Sequence, residues 1–227
     1  ILDAYLGKCP ETFTYEGKNY TPKTFANSLG LNWDDYVSIT SYTHYPFYTE
    51  FPVEVQDNWR QGLSWNLPID EMARIIDNAI RNGYTVAWGG DVSEDGFTRN
   101  GLALHYDAKG ESLEGSDMAK WLKLSPYEKM NKLSELGINA PEMTPTQEKR
   151  QEEYDNWTLT DDHGMLIYGI AKDQNGKEYY MVKNSWGETG KYKGTWYMSK
   201  NYIVAKTMDY MVNKNAIPKD IRKKMGI

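Results

Sequence analysis

Two short stretches with strand character, joined by a polar turn, constrain the fold of this chain more than any other feature. Residues 163–170 and 179–183 are rich in β-branched and aromatic side chains, and Asp173-Gln174-Asn175-Gly176 between them has the composition of a hairpin turn. Residues 194–199 predict a third strand soon afterwards. The pattern therefore predicts an antiparallel meander late in the chain.

Helical patterns alternate with further strands before this meander. Apolar side chains recur at helical spacing from Ile69 to Ile80, with Gly83 after the last of them, which predicts an amphipathic helix. A shorter helix is predicted from Thr21-Pro22 to about Gly30, and strands are predicted at residues 36–40, 51–55 and 84–88. This alternation in blocks indicates an α+β fold.

The middle of the chain, from about residue 93 to 156, is polar and carries two helix-start signatures. These are Ser125-Pro126-Tyr127-Glu128 and Thr144-Pro145-Thr146-Gln147. We therefore predict a helical excursion between strands. The charged helix that follows Pro145 is interpreted as a solvated face, with an oligomer contact as the alternative.

Charge and residue usage exclude several classes of function. The net charge of −6 argues against a nucleic-acid surface, which needs clustered Lys and Arg. No apolar stretch approaches the roughly 18 residues that a membrane-spanning helix needs. A single cysteine allows no internal disulfide, and three histidines far apart in sequence predict no metal site; we expect no cofactor. His44 and His105 are interpreted as structural, and Trp59, Trp65 and Trp88 as core residues.

The two ends of the predicted hairpin carry the chemistry. Asp161-Asp162-His163-Gly164-Met165 begins one strand, and Lys183-Asn184-Ser185-Trp186-Gly187 ends the next, so His163 and Asn184 should meet across the hairpin. An imidazole can take a proton from a nucleophile and return it to a leaving group, and an amide partner can fix its orientation and tautomer. Trp186 would cover that hydrogen bond, and Gly187 would allow a sharp turn beneath the indole.

The motifs DHGM, VKNSWG and GTWYMS resemble papain-like cysteine peptidases. LGKCPETFTY, DYVSITSYTHYPFY, QDNWRQGLSWNLP, TVAWGGDVSE and TDDHGM are similar to the bleomycin hydrolase and bacterial aminopeptidase C branch. The resemblance runs from about Leu6 to the C-terminus. It implies that residues 1–227 form the C-terminal part of a papain-like domain, with an antiparallel β-barrel and a helical insertion.

The resemblance also implies roles for individual residues. His163 would be the general base and acid of a thiol aminopeptidase that acts on the N-terminus of peptides, and Asn184 would orient it. Gly89, Gly90, Asp91 and Asp162 would lie at the substrate cleft, and Ile227 would end a tail that enters it. Further implied partners are a peptide substrate and other copies of the chain in a hexamer.

No segment of this chain matches the family's helix with the nucleophilic cysteine. Cys9, in Gly7-Lys8-Cys9-Pro10, aligns with a non-catalytic stretch. The first hypothesis is therefore that an N-terminal part of the same enzyme carries the nucleophile, and that this chain alone is inactive. The second is a catalytically inactive papain-like module for binding or assembly, and a third makes Cys9 the nucleophile of a rearranged site.

The chain begins at Ile1 without an initiator Met or a signal peptide, so we expect its first residue to result from processing or cleavage. The resemblance favours a cytoplasmic protein, and an exported bacterial protein is the alternative.

Overall fold

The computed structural model describes all 227 residues, in two units, Ile1–Tyr36 and Val37–Ile227. The α-helices are Leu2–Leu6 (α1), Pro22–Ser28 (α2), Ile69–Arg81 (α3), Gly115–Trp121 (α4), Pro126–Leu136 (α5), Gln147–Asp155 (α6), Lys200–Lys206 (α7) and Lys219–Met225 (α8). The β-strands are Phe13–Tyr15 (β1), Lys18–Tyr20 (β2), Tyr36–Thr40 (β3), Glu50–Pro52 (β4), Leu63–Asn66 (β5), Val86–Gly90 (β6), Leu102–Ala103 (β7), His163–Lys172 (β8), Glu178–Lys183 (β9), Thr195–Ser199 (β10) and Thr207–Asn213 (β11).

The first unit is a small hairpin followed by a helix. Strands β1 and β2 pair antiparallel, and Phe13, Tyr15 and Tyr20 surround Phe25 of α2 at centroid distances of 5.3 to 5.4 Å. Helix α2 begins after Thr21, whose hydroxyl accepts a hydrogen bond from Thr24 N, and Pro22 is its first residue. The predicted helix at Thr21-Pro22 is therefore confirmed, whereas the hairpin before it was not predicted.

The second unit is built on a nine-stranded sheet in the order β4-β5-β3-β11-β6-β8-β9-β10-β7. The predicted meander is confirmed: β8 pairs antiparallel with β9, and β9 with β10. Its turn is held by Asp173, whose side chain accepts hydrogen bonds from Asn175 N and Lys177 N. The sheet remains open, with β4 and β7 as its edges, so the expected barrel is not closed. No helix is long and apolar enough to cross a bilayer.

Helix α3 covers one face of this sheet, as its sequence pattern predicted. Met72, Ile75 and Ile76 are fully buried and pack in one core with Val86 and Ile167 of the central strands. Since side chains alternate along a strand, the residues between these core positions point to the opposite face. That opposite face carries the candidate site.

The predicted helical excursion consists of α4, α5 and α6. Ser125 forms the predicted capping box with Glu128 at the start of α5. Trp121 and Leu133 build a second, smaller core together with Leu104 and Tyr179. The excursion is therefore anchored to the sheet by its own apolar cluster.

Two interpretations from the sequence are wrong. Helix α6 is not simply a solvated face: Arg150 is fully buried and donates hydrogen bonds to the carbonyl groups of Ser41, Val204 and Ala205. A guanidinium carries five donors, so it can bind the carbonyl of a loop and those at the end of α7 at once. Trp59 is a largely exposed side chain, whereas Trp88 lies in the core as expected.

Candidate active site

His163 and Asn184 are brought together by the strand pairing of β8 and β9. His163 is the first residue of β8, where it lies opposite Gly90 of β6. Asn184 directly follows β9, and its backbone N–H donates to Gly194 O at 3.0 Å. Because the hairpin aligns Leu166 with Lys183, the free ends of the two strands converge at the same edge of the site.

The hydrogen bond between the two side chains defines the chemistry of the imidazole. His163 Nε2 lies 2.8 Å from Asn184 Oδ1, and the same oxygen accepts a hydrogen bond from Ser185 N at 2.7 Å. A backbone N–H can only donate, so the atom facing both groups must be the amide oxygen. Nε2 of His163 therefore carries the proton, and Nδ1 of the neutral ring keeps a lone pair that can accept one.

Trp186 and Gly187 complete the surroundings of this pair. The indole of Trp186 lies 5.3 Å from the His163 ring, centroid to centroid, and packs edge-on against Trp196. It remains 50% exposed, so it shields only one side of the imidazole. Gly187 has φ of 74°, and the carbonyl of Gly187 packs so closely on Gly194 that a Cβ on Gly194 would collide with it. The turn after Asn184 thus depends on two glycines.

An open groove of about 560 Å³ runs along the sheet face beside this pair. Asn184 and Ser185 line one end, and Gly89 and Gly164 form its floor. Asn184 is 3% exposed, and its Nδ2 has no hydrogen-bond partner. The amide of Asn184 is therefore held through its oxygen, which accepts from both His163 and Ser185, and not through its nitrogen.

Two carboxylates border the groove. Asp209 of β11 accepts a hydrogen bond from Ser38 Oγ at 2.7 Å and a longer one from Ser64 Oγ at 3.4 Å. Burial raises the pKa of Asp209 in spite of these bonds. Burial, together with the nearby charge of Asp209, raises the pKa of Asp161 to about 6. No Lys or Arg forms an ion pair with either carboxylate, although the protein forms eleven such contacts elsewhere.

The structure separates Gly89, Gly90 and Asp91, three residues that the resemblance placed at the substrate cleft. Gly89 does line the groove. Gly90 is buried, and a Cβ there would collide with the carbonyl of Lys206. Asp91 is fully buried and accepts hydrogen bonds from Ser93 N and Thr160 N, so it fixes two loops and does not face the groove.

Asp162 and Ile227 also lie outside the groove lining. The carboxylate of Asp162 accepts hydrogen bonds from Val92 N and Thr160 Oγ1, which ties down the residue before His163. Ile227 follows α8, whose Ile221 and Met225 belong to the core beneath α3. The expected entry of this tail into the cleft is not seen, because α8 is held to α3 by Arg74–Asp220 and Lys224–Glu71 ion pairs.

The remaining histidines and the cysteine have structural surroundings. His44 stacks on Tyr154 at 5.1 Å, and burial lowers the pKa of His105 to about 4. Cys9 is exposed and follows the end of α1, so it has no helix N-terminus to stabilise a thiolate. No group of three or more metal-binding side chains is close enough to hold an ion.

Sequence reasoning missed Asp209, Ser38 and Ser64. These residues come from three separate strands, β11, β3 and β5, and no local motif marks them. Apolar and polar side chains alternate at Met208, Asp209 and Tyr210, and this pattern could have predicted a strand at residues 207–213. It could not have predicted which strand lies beside β11.

Comparison with known proteins decides the family. Residues 1–113 and 140–226 match the Peptidase C1-like family, and residues 114–139, which include all of α4 and α5, lie outside the match. The chain belongs to the Peptidase C1-like family. Among relatives, aminopeptidase C of Lactobacillus helveticus is 26% identical over 212 residues, covering 91% of this chain and 41% of the relative. Bleomycin hydrolase of Gallus gallus is 24% identical, covering 97% and 47%.

A solved structure supports the Peptidase C1-like fold. PepW of Lactobacillus rhamnosis superposes with a TM-score of 0.67 at 22% identity, covering 99% of this chain and 48% of that protein. The chain thus spans about half the length of the relatives it matches. The resemblance to the bleomycin hydrolase and aminopeptidase C branch is confirmed, and membership of a peptidase family with it.

Proposed function

We propose that this chain supplies the general base and its orienting residue to a thiol aminopeptidase. The nucleophilic cysteine would come from another part of the full-length protein. The observation that carries the proposal is the hydrogen bond from His163 Nε2 to Asn184 Oδ1, with the amide oxygen fixed by Ser185 N. It leaves Nδ1 of the ring as the proton acceptor that a thiol requires.

A neutral amide suits this task. A thiolate–imidazolium pair is itself a separated charge pair, and a carboxylate in place of Asn184 would add a second negative charge. Asn184 orients the ring, as a carboxylate does in enzymes with a serine nucleophile, but it adds no charge. In the proposed cycle His163 Nδ1 takes the thiol proton, the thiolate attacks the peptide carbonyl, and the imidazolium returns the proton to the leaving amine as the C–N bond breaks. Water then attacks the resulting thioester, His163 takes its proton and passes it to the sulfur as the C–S bond breaks, and the acid product and the thiol are released.

In this proposal the part of the protein that carries the cysteine would pack on the sheet face around the site. Leu166 and Met211, neighbours of the groove floor, are 38% and 47% exposed, and Leu63 is more than half exposed. Apolar side chains grouped on one sheet face commonly mark an interaction surface. A chain segment that carries the cysteine and packs here would bury them and place the thiol beside His163.

The test measures hydrolysis of aminoacyl anilides by the full-length protein. One set of anilides has a free amino group, and the other set is the same compounds after N-acetylation. We expect hydrolysis of the free-amine substrates only. His163→Ala should lower kcat/KM by about a thousandfold or more, and Asn184→Ala by about tenfold to a hundredfold. Cys9→Ala should leave turnover unchanged, since Cys9 is an exposed thiol outside the machinery.

Three outcomes would reject the proposal. Hydrolysis that survives His163→Ala would mean that another base does the work. A properly folded full-length protein that never turns over, yet binds peptides, would instead be the inactive binding module. Loss of activity in Cys9→Ala, together with rapid alkylation of Cys9 at pH 6, would favour the rearranged site.

A homo-oligomer, hexameric by family resemblance, is part of the same proposal. Light scattering of the full-length protein measures it directly, and a monomer at assay concentration would contradict it.

A further inference from the structure

A cavity of about 400 Å³ shares no lining residue with the groove beside His163. Its walls come from two segments, residues 105–112 and 142–149, and we call it the His105 cavity. Backbone hydrogen bonds join the segments, from Met143 N to His105 O at 2.9 Å and from Asp107 N to Pro141 O at 3.0 Å. The two segments flank residues 114–139, which lie outside the family match. The cavity is therefore formed where this chain departs from its family.

His105 is a buried polar side chain in the wall of this cavity. It is 6% exposed, and its one hydrogen bond is the bond that its backbone carbonyl accepts from Met143 N. Neither ring nitrogen has a partner, although His105 lines both this cavity and a neighbouring one of about 260 Å³. Burial lowers the pKa of His105 to about 4, so the ring is neutral at pH 7 and has one donor and one acceptor. A ligand that carries both an acceptor and a donor would satisfy this ring.

A second unpaired atom in the lining belongs to Glu142. Its side chain is 4% exposed, and Oε1 accepts a hydrogen bond from Lys177 Nζ at 3.0 Å. Oε2 has no partner, and burial raises the pKa of the carboxyl group. Two buried residues of the lining, His105 and Glu142, thus keep hydrogen-bonding capacity that the protein does not use.

Most charged groups around the cavity are already paired. The carboxylate of Asp107 accepts hydrogen bonds from the backbone amides of residues 111 and 112, and Lys149 pairs with Glu152 at 2.8 Å. The side chains of Lys109 and Glu111 are exposed at the rim and form neither an ion pair nor a hydrogen bond. The rim therefore has one unpaired charge of each sign.

The start of helix α6 also borders the cavity. Thr146 caps this nine-residue helix by accepting a hydrogen bond from Lys149 N at 3.1 Å, and both residues line the cavity. The amides of Gln147 and Glu148 come next, and the first amides of a helix have no acceptor within it. Together with the ammonium group of Lys109, this helix end favours a carboxylate on its side of the cavity.

From these observations we propose that the His105 cavity binds a free α-amino acid with a polar, uncharged side chain. Its carboxylate lies between Lys109 and the start of α6, its ammonium group pairs with Glu111, and its side chain bonds to the His105 ring. An inorganic anion would leave Glu111 and the acceptor nitrogen of His105 unmatched. The cavity volume is at the lower end of the roughly 300–1,000 Å³ of ligand pockets, which suits a small ligand. No groove residue takes part, so this inference is independent of the proposed function.

Binding to this chain tests the inference, since all lining residues lie within it. Four probes separate the contacts: L-glutamine, which has all the required groups; N-acetyl-L-glutamine, which lacks the ammonium group; L-glutaminamide, which lacks the carboxylate; and L-norvaline, which has an apolar side chain. Isothermal titration calorimetry at pH 7 measures each Kd, and nitrogen-15 NMR of the His105 ring locates the bound probe. We expect L-glutamine to bind with a Kd of about 1 mM or tighter and each other probe about tenfold more weakly.

Variants of the lining separate specific binding from general attraction. Lys109→Gln and Glu111→Gln should each weaken the binding of L-glutamine about tenfold, and His105→Phe should abolish its preference over L-norvaline. Lys120→Gln and Asp117→Asn remove the same charges from the exposed helix α4 and should leave the Kd unchanged. Circular dichroism melting verifies that each variant is folded. The two rim variants carry the test if His105→Phe does not fold, because their side chains are exposed.

The outcomes are distinct. Equal binding of L-glutamine and of either singly charged derivative overturns the zwitterion site. Equal binding of L-norvaline overturns the contact with His105. If no probe shifts the His105 ring resonances, the proposal is rejected as a whole and the cavity holds only water. None of these results bears on His163 and Asn184, so the proposed function is decided by its own test.

Discussion

Successive residues on the same strands lie on two faces of the sheet that differ in almost every respect. On β8, Ile167 is fully buried under α3, whereas its neighbour Leu166 is 38% exposed. On β11, Tyr210 lies in the core and Asp209 borders the groove. The strands are common to both faces, so the difference comes only from what covers each face.

Several polar groups of the covered face have hydrogen-bond partners. The hydroxyl of Tyr180 donates to Asp77, and that of Tyr210 donates to Met72 O. The indole N–H of Trp88 donates to Thr207 Oγ1. On the open face, by contrast, Asn184 Nδ2 has no partner and Asp161 and Asp209 have no cation. Unpaired atoms also occur away from the groove, among them Glu71 Oε2 and Arg150 Nη2, so the open face differs in having its unpaired groups beside the His163–Asn184 pair.

The largest expected effect is the difference in unfolding free energy between substitutions at two neighbouring residues of β8. Ile167→Ala should lower the free energy of unfolding by about 3 kcal/mol, because it leaves a cavity in the core. Leu166→Ala should lower it by less than about 1 kcal/mol, since the side chain is partly in water. Urea unfolding followed by circular dichroism measures both. Equal losses would mean that the open face is packed in solution.

The second prediction concerns the pH dependence of stability. The pKa of Asp161 is raised from 3.8 to about 6 by folding, so the folded state binds more protons in this window. The contribution of Asp161 to stability is therefore present below about pH 4 and is lost as the pH rises through about 6. Asp161 is partly exposed, and solvent screening limits the loss to about 1 kcal/mol.

Asp161→Asn should remove that dependence. The difference in unfolding free energy between wild type and variant, measured in urea from pH 4 to 7, isolates this one carboxyl group from the others. A difference that is flat with pH, or that has the opposite slope, would show that Asp161 has an ordinary carboxyl environment.

A third, smaller effect is a gain in stability. Burial raises the pKa of Asp209, which indicates that its ionised form is disfavoured by the fold. Asp209→Asn keeps an oxygen for Ser38 and removes the charge, so it should stabilise the protein by about 0.5 to 1 kcal/mol at pH 7. Thermal melting beside Asp117→Asn as a charge-matched control measures it. A clear loss of stability would contradict the account of an unpaired charge.

The smallest effect is a change of tautomer with little change of stability. Nitrogen-15 NMR of His163 in the neutral ring should show the proton on Nε2, because Asn184 Oδ1 can only accept. In Asn184→Ala the ring should become a mixture of both tautomers. An Nδ1-protonated ring in the wild-type chain would remove the basis for His163 as a base.

Sequence reasoning predicted the part of the site that is local. The His163–Asn184 contact follows from one hairpin with a recognisable turn, so spacing and turn chemistry were enough to predict it. The boundaries of β6 were shifted by two residues, since residues 84–88 were predicted and Val86–Gly90 form the strand. Helix α3 was predicted well because its apolar stripe is regular over the whole helix.

The two carboxylates beside the groove could not be predicted in this way. Asp209 reaches Gly89 through the pairing of β11 with β6, and Ser38 and Ser64 arrive on two further strands. Such contacts depend on strand order, which a single sequence does not encode in any local pattern. The burial of Arg150 was missed for a related reason, since its partners are carbonyl groups, and carbonyl groups have no signature in the sequence.

The Arg150 contacts have a consequence for how the chain reaches this structure. The guanidinium joins α6 to Ser41, 109 residues earlier, and to Val204, 54 residues later. These bonds cannot form until both distant segments have arrived, so they belong to the last steps of folding, when loop-closure entropy has already been overcome. Substitution of Arg150 should therefore speed unfolding far more than it slows refolding.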